Sequence, residues 1–141
     1  MGDCIVETRL GRIRGRVQDG VETYRGIPYA ASTAGEARFL PPQPREPWAG
    51  IRDATRFGPS APQPVTPGPL ALSAINAGTA PLPTPGVAPY GMIIHEDVQD
   101  EDCLVLNVWT PRAGRDVRRP VLLWFHGGGW IAGSGSQPGA D

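Results

Sequence analysis

The residues best suited to chemistry form a glycine-rich run near the end of the 141-residue chain, His126-Gly127-Gly128-Gly129-Trp130. Three successive glycines are costly to order, because glycine loses more backbone entropy on folding than any other residue. They do, however, leave backbone N–H groups uncovered by side chains. Such donors, placed about 3 Å from an oxygen that gains negative charge, stabilise a transition state more than the ground state. The run therefore predicts an oxyanion hole for acyl transfer.

Other uses of a glycine run do not fit the spacing. A dinucleotide-binding fingerprint would need glycine where Ala132 stands, and a P-loop that begins at Gly128 would need lysine where Ser134 stands. A plain flexible turn remains the alternative interpretation of the cluster. His126 alone does not indicate a general base, because a base must lie within hydrogen-bond reach of its nucleophile. The 141 residues contain no G-x-S-x-G nucleophile elbow.

The elements that would hold this run are predicted to be strands. Residues 121–125 form a continuous apolar segment between Pro120 and the glycines, which is typical of a strand buried on both faces of a sheet. Residues 104–109, ended by Pro111, predict a second strand. A sheet of this kind needs covering helices, and the sequence shows no convincing helical segment. The pattern therefore predicts an incomplete sheet.

The beginning of the chain predicts an antiparallel ribbon over residues 6–25, with turns at Gly11 and at Asp19-Gly20. Arginines alternate there with smaller or apolar residues, which favours an exposed strand face over a phosphate-binding stripe. Residues 26–58 are punctuated by prolines and predict irregular backbone. Residues 59–91 are rich in Pro, Gly, Ala and Ser and predict a long loop. The fold class expected is α/β, with antiparallel N-terminal strands, a long loop and two central strands.

Composition excludes several kinds of partner. A formal net charge of -1 and a pI near 6.1 provide no basic field for nucleic acid and no cationic face for an anionic membrane. No apolar segment approaches the ~18 residues of a membrane span. The first residues show no secretory signal, so a cytoplasmic location is expected. Cys4 and Cys103 match no metal-binding spacing and predict two free thiols in a reducing compartment.

Taken in order, these segments resemble the N-terminal part of the type B carboxylesterase family, which has the α/β-hydrolase fold and includes bacterial esterases, cholinesterases and the non-catalytic neuroligins. The resemblance covers residues 1–141 as the N-terminal portion of one such domain. It is carried by Tyr24-Arg25-Gly26-Ile27-Pro28-Tyr29-Ala30, by Arg38-Phe39 and Pro47-Trp48, and by residues 101–111, which are similar to the family's EDCLxLNVxxP signature.

The resemblance implies roles for the glycine-rich run. Gly128 and Gly129 would be the backbone donors of the oxyanion hole. Gly127 would shape the turn, and Trp130 would lie near the acyl side of the substrate pocket. No cofactor is implied for this chemistry.

The resemblance also implies structural roles in the signature. Glu101 would form an ion pair with Arg38, an interpretation favoured over a calcium site built from the acidic residues 96–102 and His95; no metal is therefore expected. In many secreted members the signature cysteine is bonded to a cysteine at the position that Ala61 occupies here. Cys103 would therefore lack this disulfide partner.

Three functional hypotheses follow. The first is a serine carboxylic ester hydrolase acting on small-molecule esters, of which this chain would be a fragment with the oxyanion segment but without the nucleophilic serine and the acid and histidine of the triad. The isolated chain would then be inactive. The second is a neuroligin-like interaction protein, although a binding scaffold has no need of the HGGG segment. The third is a pseudogene product that does not fold stably.

Overall fold

The computed structural model describes residues 2–63, 98–111, 113, 118–128, 130 and 133–136, and the structural statements below concern these residues. They form one five-stranded sheet with the hydrogen-bonded order β1-β2-β3-β5, in which β4 pairs with β2. One short 3₁₀ helix, Gly35–Ala37, is the only helical element among them. The strands are β1 (Gly2–Glu7), β2 (Arg12–Gln18), β3 (Val21–Pro28), β4 (Ile51–Asp53) and β5 (Val105–Thr110).

The predicted N-terminal ribbon is confirmed and extends to three antiparallel strands. In β2, Ile13 and Gly15 are buried while the arginines that alternate with them are exposed, as a strand with one solvated face requires. The β2–β3 turn consists of Asp19 and Gly20, with φ of 52° and 79°. Positive φ at both residues is the geometry of a type I′ turn, whose twist matches that of the flanking strands.

A short strand that the sequence did not predict completes the free edge of β2. β4 pairs in parallel with the start of β2, where β3 has already diverged. Ala54, the next residue, donates its N–H to Arg14 O at 2.8 Å and accepts from the Arg25 N–H at 2.7 Å. This segment therefore satisfies backbone groups on β2 and β3 that would otherwise face an open edge.

The predicted strand over residues 104–109 is present as β5, within one residue of its expected limits, and pairs antiparallel with β3. The register shifts between Tyr24 and Ile27, so β3 carries an irregularity there. Within it, the Gly26 N–H donates to Asn107 Oδ1 at 2.9 Å. A side chain of β5 thus takes the hydrogen bond that a regular ladder would have supplied.

A small core lies against the sheet. Ile13, Tyr24 and Ala54 are each at most 2 % exposed, and partly buried apolar residues pack around them. The Tyr24 hydroxyl donates to Glu22 Oε2 at 3.0 Å, and burial raises the pKa of this phenol far above its ordinary value. Glu22 Oε2 also accepts from the Ala113 N–H at 2.7 Å. One carboxylate therefore ties the segment after β5 to the start of β3.

Residues 121–125 do not form the predicted strand in this chain. Their backbone belongs to no strand, and their five side chains are between 55 % and 95 % exposed. The prediction of a buried strand here was wrong for the 141-residue chain, because an apolar segment can be buried only by strands and helices packed against it. The described residues supply no such neighbours.

The predicted loop over residues 59–91 falls largely outside the described residues, which omit 64–97. The described residues on either side of positions 64–97 contact each other. The Ser60 N–H donates to Val98 O at 3.0 Å, and the Asp100 N–H donates to Ser60 O at 3.1 Å. Ser60 is 6 % exposed. The segments on either side of residues 64–97 are therefore hydrogen-bonded to each other.

Replacement of Gly15 by alanine is expected to destabilise the sheet. A Cβ at this position would overlap Thr23 O and would lie 2.6 Å from Tyr24 Cδ1, so β2 and β3 would have to separate around the core tyrosine. Overpacking of this kind costs about 1–3 kcal/mol, which should appear as a lower urea midpoint in circular dichroism. The matched control is Gly2→Ala, since a Cβ at Gly2 meets nothing within 4 Å. Equal midpoints for the two variants would contradict the expectation.

Candidate active site

The glycine-rich run follows directly on the exposed apolar segment. Gly127 is exposed and Gly128 is half-buried, while Gly129 lies outside the described residues. Gly128 has φ of 129°, a backbone conformation that residues with a Cβ rarely adopt. The backbone at Gly128 therefore requires glycine for its conformation as well as for access to its N–H group.

Gly127 and Gly128 carry the described backbone N–H groups among the three glycines. Within the described part of the chain, no residue accepts a hydrogen bond from the N–H of Gly127 or Gly128. His126 Nδ1 contacts Gly127 O at 2.8 Å, so this imidazole interacts with the turn itself. N–H groups that have no acceptor among the described residues can donate to an external oxygen, and the sequence predicts this chemistry.

Trp130 occupies an unusual backbone conformation next to these donors. Its φ is 64° and its side chain is fully exposed. For a residue other than glycine this region costs roughly 1–2 kcal/mol. The pocket role that the resemblance implied for Trp130 stays a prediction.

Two side-chain amides that the sequence analysis did not single out contact the segment after the run. Gln63 bonds to the backbone of Gly133, and Asn107 bonds to that of Gly135. Each contact joins residues that are distant in the sequence, so no local pattern indicates it.

The acidic residues of the signature hold the segment around Arg38. Arg38 forms an ion pair with Glu101, as the resemblance implied, and Glu101 O also accepts from the Thr33 N–H and hydroxyl, both at 2.9 Å. A second pair was not foreseen: Arg45 binds both carboxylate oxygens of Asp102, at 2.6 and 3.3 Å. Arginine forms such two-point contacts well. Consecutive acidic residues therefore fix two points of one irregular segment to the start of β5.

Cys103 is half-buried and, like Cys4, carries a free thiol. Removal from water disfavours the thiolate, so burial raises the pKa of Cys103, and the negative charges of Asp102 and Asp100 act in the same direction. A raised pKa lowers the thiolate fraction at neutral pH. Cys103 therefore has the environment of an unreactive structural thiol.

Alkylation of Cys103 is expected to be slow at neutral pH and to accelerate only at a pH above the range in which an ordinary cysteine ionises. The measurement is the iodoacetamide rate as a function of pH in a Cys4→Ser variant, with a small cysteine peptide as the reference thiol. Urea-unfolded protein supplies the control, because unfolding should restore the reference profile. A native profile equal to that of the peptide would show that burial does not govern this thiol.

The alternative of a calcium site concerns the acidic residues 96–102 and His95. The described residues contain no group of three or more His, Cys, Asp or Glu side chains that could hold a metal ion, and His95, Glu96 and Asp97 of the calcium alternative lie outside them. In the same part of the chain, no helix is long and apolar enough to cross a membrane.

The sequence is similar to those of characterised hydrolases. The model of the carboxylesterase family matches residues 2–141. A phenmedipham hydrolase of Pseudarthrobacter oxydans is 42 % identical over 134 residues, and the para-nitrobenzyl esterase of Bacillus subtilis strain 168 is 34 % identical over 134 residues. Each alignment covers 95 % of this chain and 23 % of the relative. The chain thus spans about a quarter of the length of these curated relatives.

The structure is similar to that of a complete carboxylesterase as well. The crystal structure of a Geobacillus stearothermophilus carboxylesterase at pH 6.8 superposes with a TM-score of 0.70 at 40 % sequence identity. The superposition covers 97 % of this chain and 22 % of that protein. Together, the match to the family model along the chain and this structural similarity show that the chain belongs to the carboxylesterase family and forms an incomplete part of its α/β-hydrolase fold.

Proposed function

We propose that this chain is the N-terminal part of a serine carboxylic ester hydrolase and that its glycine-rich run supplies oxyanion donors. The observation that carries the proposal is an intact HGGG segment in a chain that belongs to the carboxylesterase family. The positive φ of Gly128 supports it, as do the N–H groups of Gly127 and Gly128, which have no acceptor in the described part of the chain. The substrate class is a small-molecule carboxylic ester.

In the proposed reaction a serine hydroxyl attacks the ester carbonyl carbon, and its proton passes to a histidine that an acidic residue orients. Negative charge develops on the carbonyl oxygen as the tetrahedral intermediate forms. The N–H groups of Gly128 and Gly129 donate to this oxygen, with Gly127 shaping the turn and Trp130 bordering the acyl group. Collapse of the intermediate expels the alcohol, and water then releases the acid from the acyl-enzyme.

The nucleophile, the histidine and the acid of this scheme belong to sequence beyond these 141 residues. The isolated chain therefore contributes donors without a group that attacks, and it is proposed to be inactive. The two free thiols support a reducing compartment, so we also propose a cytoplasmic location.

The test begins with the transcript downstream of the Asp141 codon, where an in-frame G-x-S-x-G is expected. The complete protein should hydrolyse p-nitrophenyl acetate and should be labelled at one serine by a fluorophosphonate. The purified 141-residue chain should do neither. A folded complete protein that hydrolyses no ester in a panel of acyl lengths, and that takes up no label, would overturn the proposal and favour the non-catalytic interaction protein.

A further inference from the structure

The chain is held to the rest of the structure shortly after the glycine-rich run, at residues 133–135. Residues 121–127 and Trp130 are exposed, whereas Ser134 is only 8 % exposed. Among the described residues, the contacts that join this part of the chain to the sheet and to Gln63 are made at residues 133–135, here called the anchor. Gly133 follows Gly128 by five residues, so the position of the anchor limits where the backbone at Gly128 can lie.

Gln63 pairs with both backbone groups of one anchor residue. The Gly133 N–H donates to Gln63 Oε1 at 2.8 Å, and Gln63 Nε2 donates to Gly133 O at 3.3 Å. A side-chain amide that donates and accepts at the same residue imitates a neighbouring strand. Two bonds at one residue restrict its orientation as well as its distance, which a single bond does not.

Gln63 is itself hydrogen-bonded to the segment at residues 98–100. Its own N–H donates to Gln99 Oε1 at 2.9 Å, and Gln99 bridges to Ser60. The anchor at Gly133 is thereby connected to a buried and doubly hydrogen-bonded segment.

Asn107 provides a second point of attachment, from the sheet. Its Nδ2 donates to Gly135 O at 3.1 Å while its Oδ1 accepts from the Gly26 N–H at 2.9 Å. Gly26 lies in the irregularity of β3, so one asparagine satisfies that irregularity and holds the anchor. Asn107 therefore fixes the anchor relative to β3 and β5.

We propose that Gln63 and Asn107 are positioning residues that fix residues 133–135 and, through the short connection to them, the N–H donor at Gly128. The inference rests on the proposed function, because it assigns these amides to the oxyanion hole of that reaction. Donors act on the transition state only when they are held within about 0.5 Å of the productive geometry. A loosened anchor should therefore lower kcat and leave KM nearly unchanged, since the donors bind the transition state more than the substrate.

The kinetic test uses the complete esterase with p-nitrophenyl acetate. Gln63→Ala removes both bonds to Gly133 and should lower kcat about 10- to 100-fold, the loss expected for misplacement of about 1 Å. Gln63→Glu keeps the acceptor and loses the donor, so its kcat should lie between those of Gln63→Ala and the parent protein. Gln43→Ala is the matched control, because Gln43 is exposed and its side chain donates only to Pro41 O. It should keep the parent kcat.

The independent readout is amide exchange of the peptide that contains Gly133, measured by mass spectrometry on the purified protein. Exchange should be faster in Gln63→Ala than in the parent protein or in Gln43→Ala. Asn107→Asp keeps the acceptor for Gly26 and loses the donor to Gly135, so it should also accelerate this exchange. It replaces Gln63→Ala in the comparison if Gln63→Ala does not fold.

The outcomes separate the two proposals. An inactive parent protein would contradict the esterase function, while the exchange comparison would still test the anchor. An active parent whose Gln63→Ala variant keeps kcat, changes only KM, or leaves Gly133 exchange unaltered would overturn the positioning role.

Discussion

Replacement of Gly128 by proline is expected to lower kcat/KM of the complete esterase for a small ester by about 100- to 1000-fold, the loss typical of removing one oxyanion donor. Proline has no backbone N–H, and its ring fixes φ near -65°. Gly128 has φ of 129°. The substitution therefore removes the donor and forces the turn away from its geometry. Steady-state hydrolysis of p-nitrophenyl acetate at matched active-serine concentration measures the effect.

A second substitution separates the donor from the backbone conformation. Gly128→Ala keeps the N–H but is strained by the positive φ, so it should lose less activity than Gly128→Pro. Gly50→Ala is the matched control, because Gly50 also has a positive φ, of 76°, and a Cβ there meets nothing within 4 Å. Its strain should lower stability with unchanged turnover. Activity near the parent value in a folded Gly128→Pro variant would refute the oxyanion assignment.

The regular part of the fold could be predicted from local patterns. Alternation of exposed arginines with Ile13 and Gly15 predicts β2, and the Asp19-Gly20 pair predicts the turn that follows it, since both features depend on neighbouring residues only. β4 could not be predicted in this way. Three residues carry no usable period, and they become a strand because the diverging β2 and β3 leave an edge that they can pair with.

The sequence predicts the residue types of the candidate site but not the side chains that support it. Three glycines after an apolar segment indicate uncovered N–H groups whatever the fold around them. The supports at Gln63 and Asn107 join positions 70 and 28 residues apart, through hydrogen bonds between side-chain amides and the backbone. Such pairs leave no periodic pattern, and only the folded backbone shows that these two amides reach the segment after the glycines.

At residues 121–125 the apolar pattern alone predicts the wrong environment for this chain. The pattern predicts burial on both faces, and in this chain the segment is exposed on both. A contiguous exposed apolar segment favours association, and an unpaired backbone offers it a template for pairing. The same residues should therefore behave in opposite ways in the isolated chain and in a complete α/β-hydrolase sheet.

Leu122→Lys is accordingly expected to have effects of opposite sign in the two contexts. Leu122 is 95 % exposed in the 141-residue chain, so lysine there should reduce light scattering and the binding of a hydrophobic dye, with little cost in stability. In the complete esterase the strand should be buried. Lysine should then destabilise by at least about 2–5 kcal/mol, the loss for truncating a buried leucine, because an unpaired buried ammonium adds to it.

Light scattering and dye binding of the chain, and urea unfolding of the complete protein, measure the two effects. Val98→Lys is the matched control, because Val98 is 79 % exposed and lies outside the apolar segment. It should change association of the chain less than Leu122→Lys does. If Leu122→Lys left the complete protein as stable as its parent, residues 121–125 would not be a buried strand there. The proposed continuation of the α/β-hydrolase sheet through the segment that carries the glycine-rich run would then be wrong.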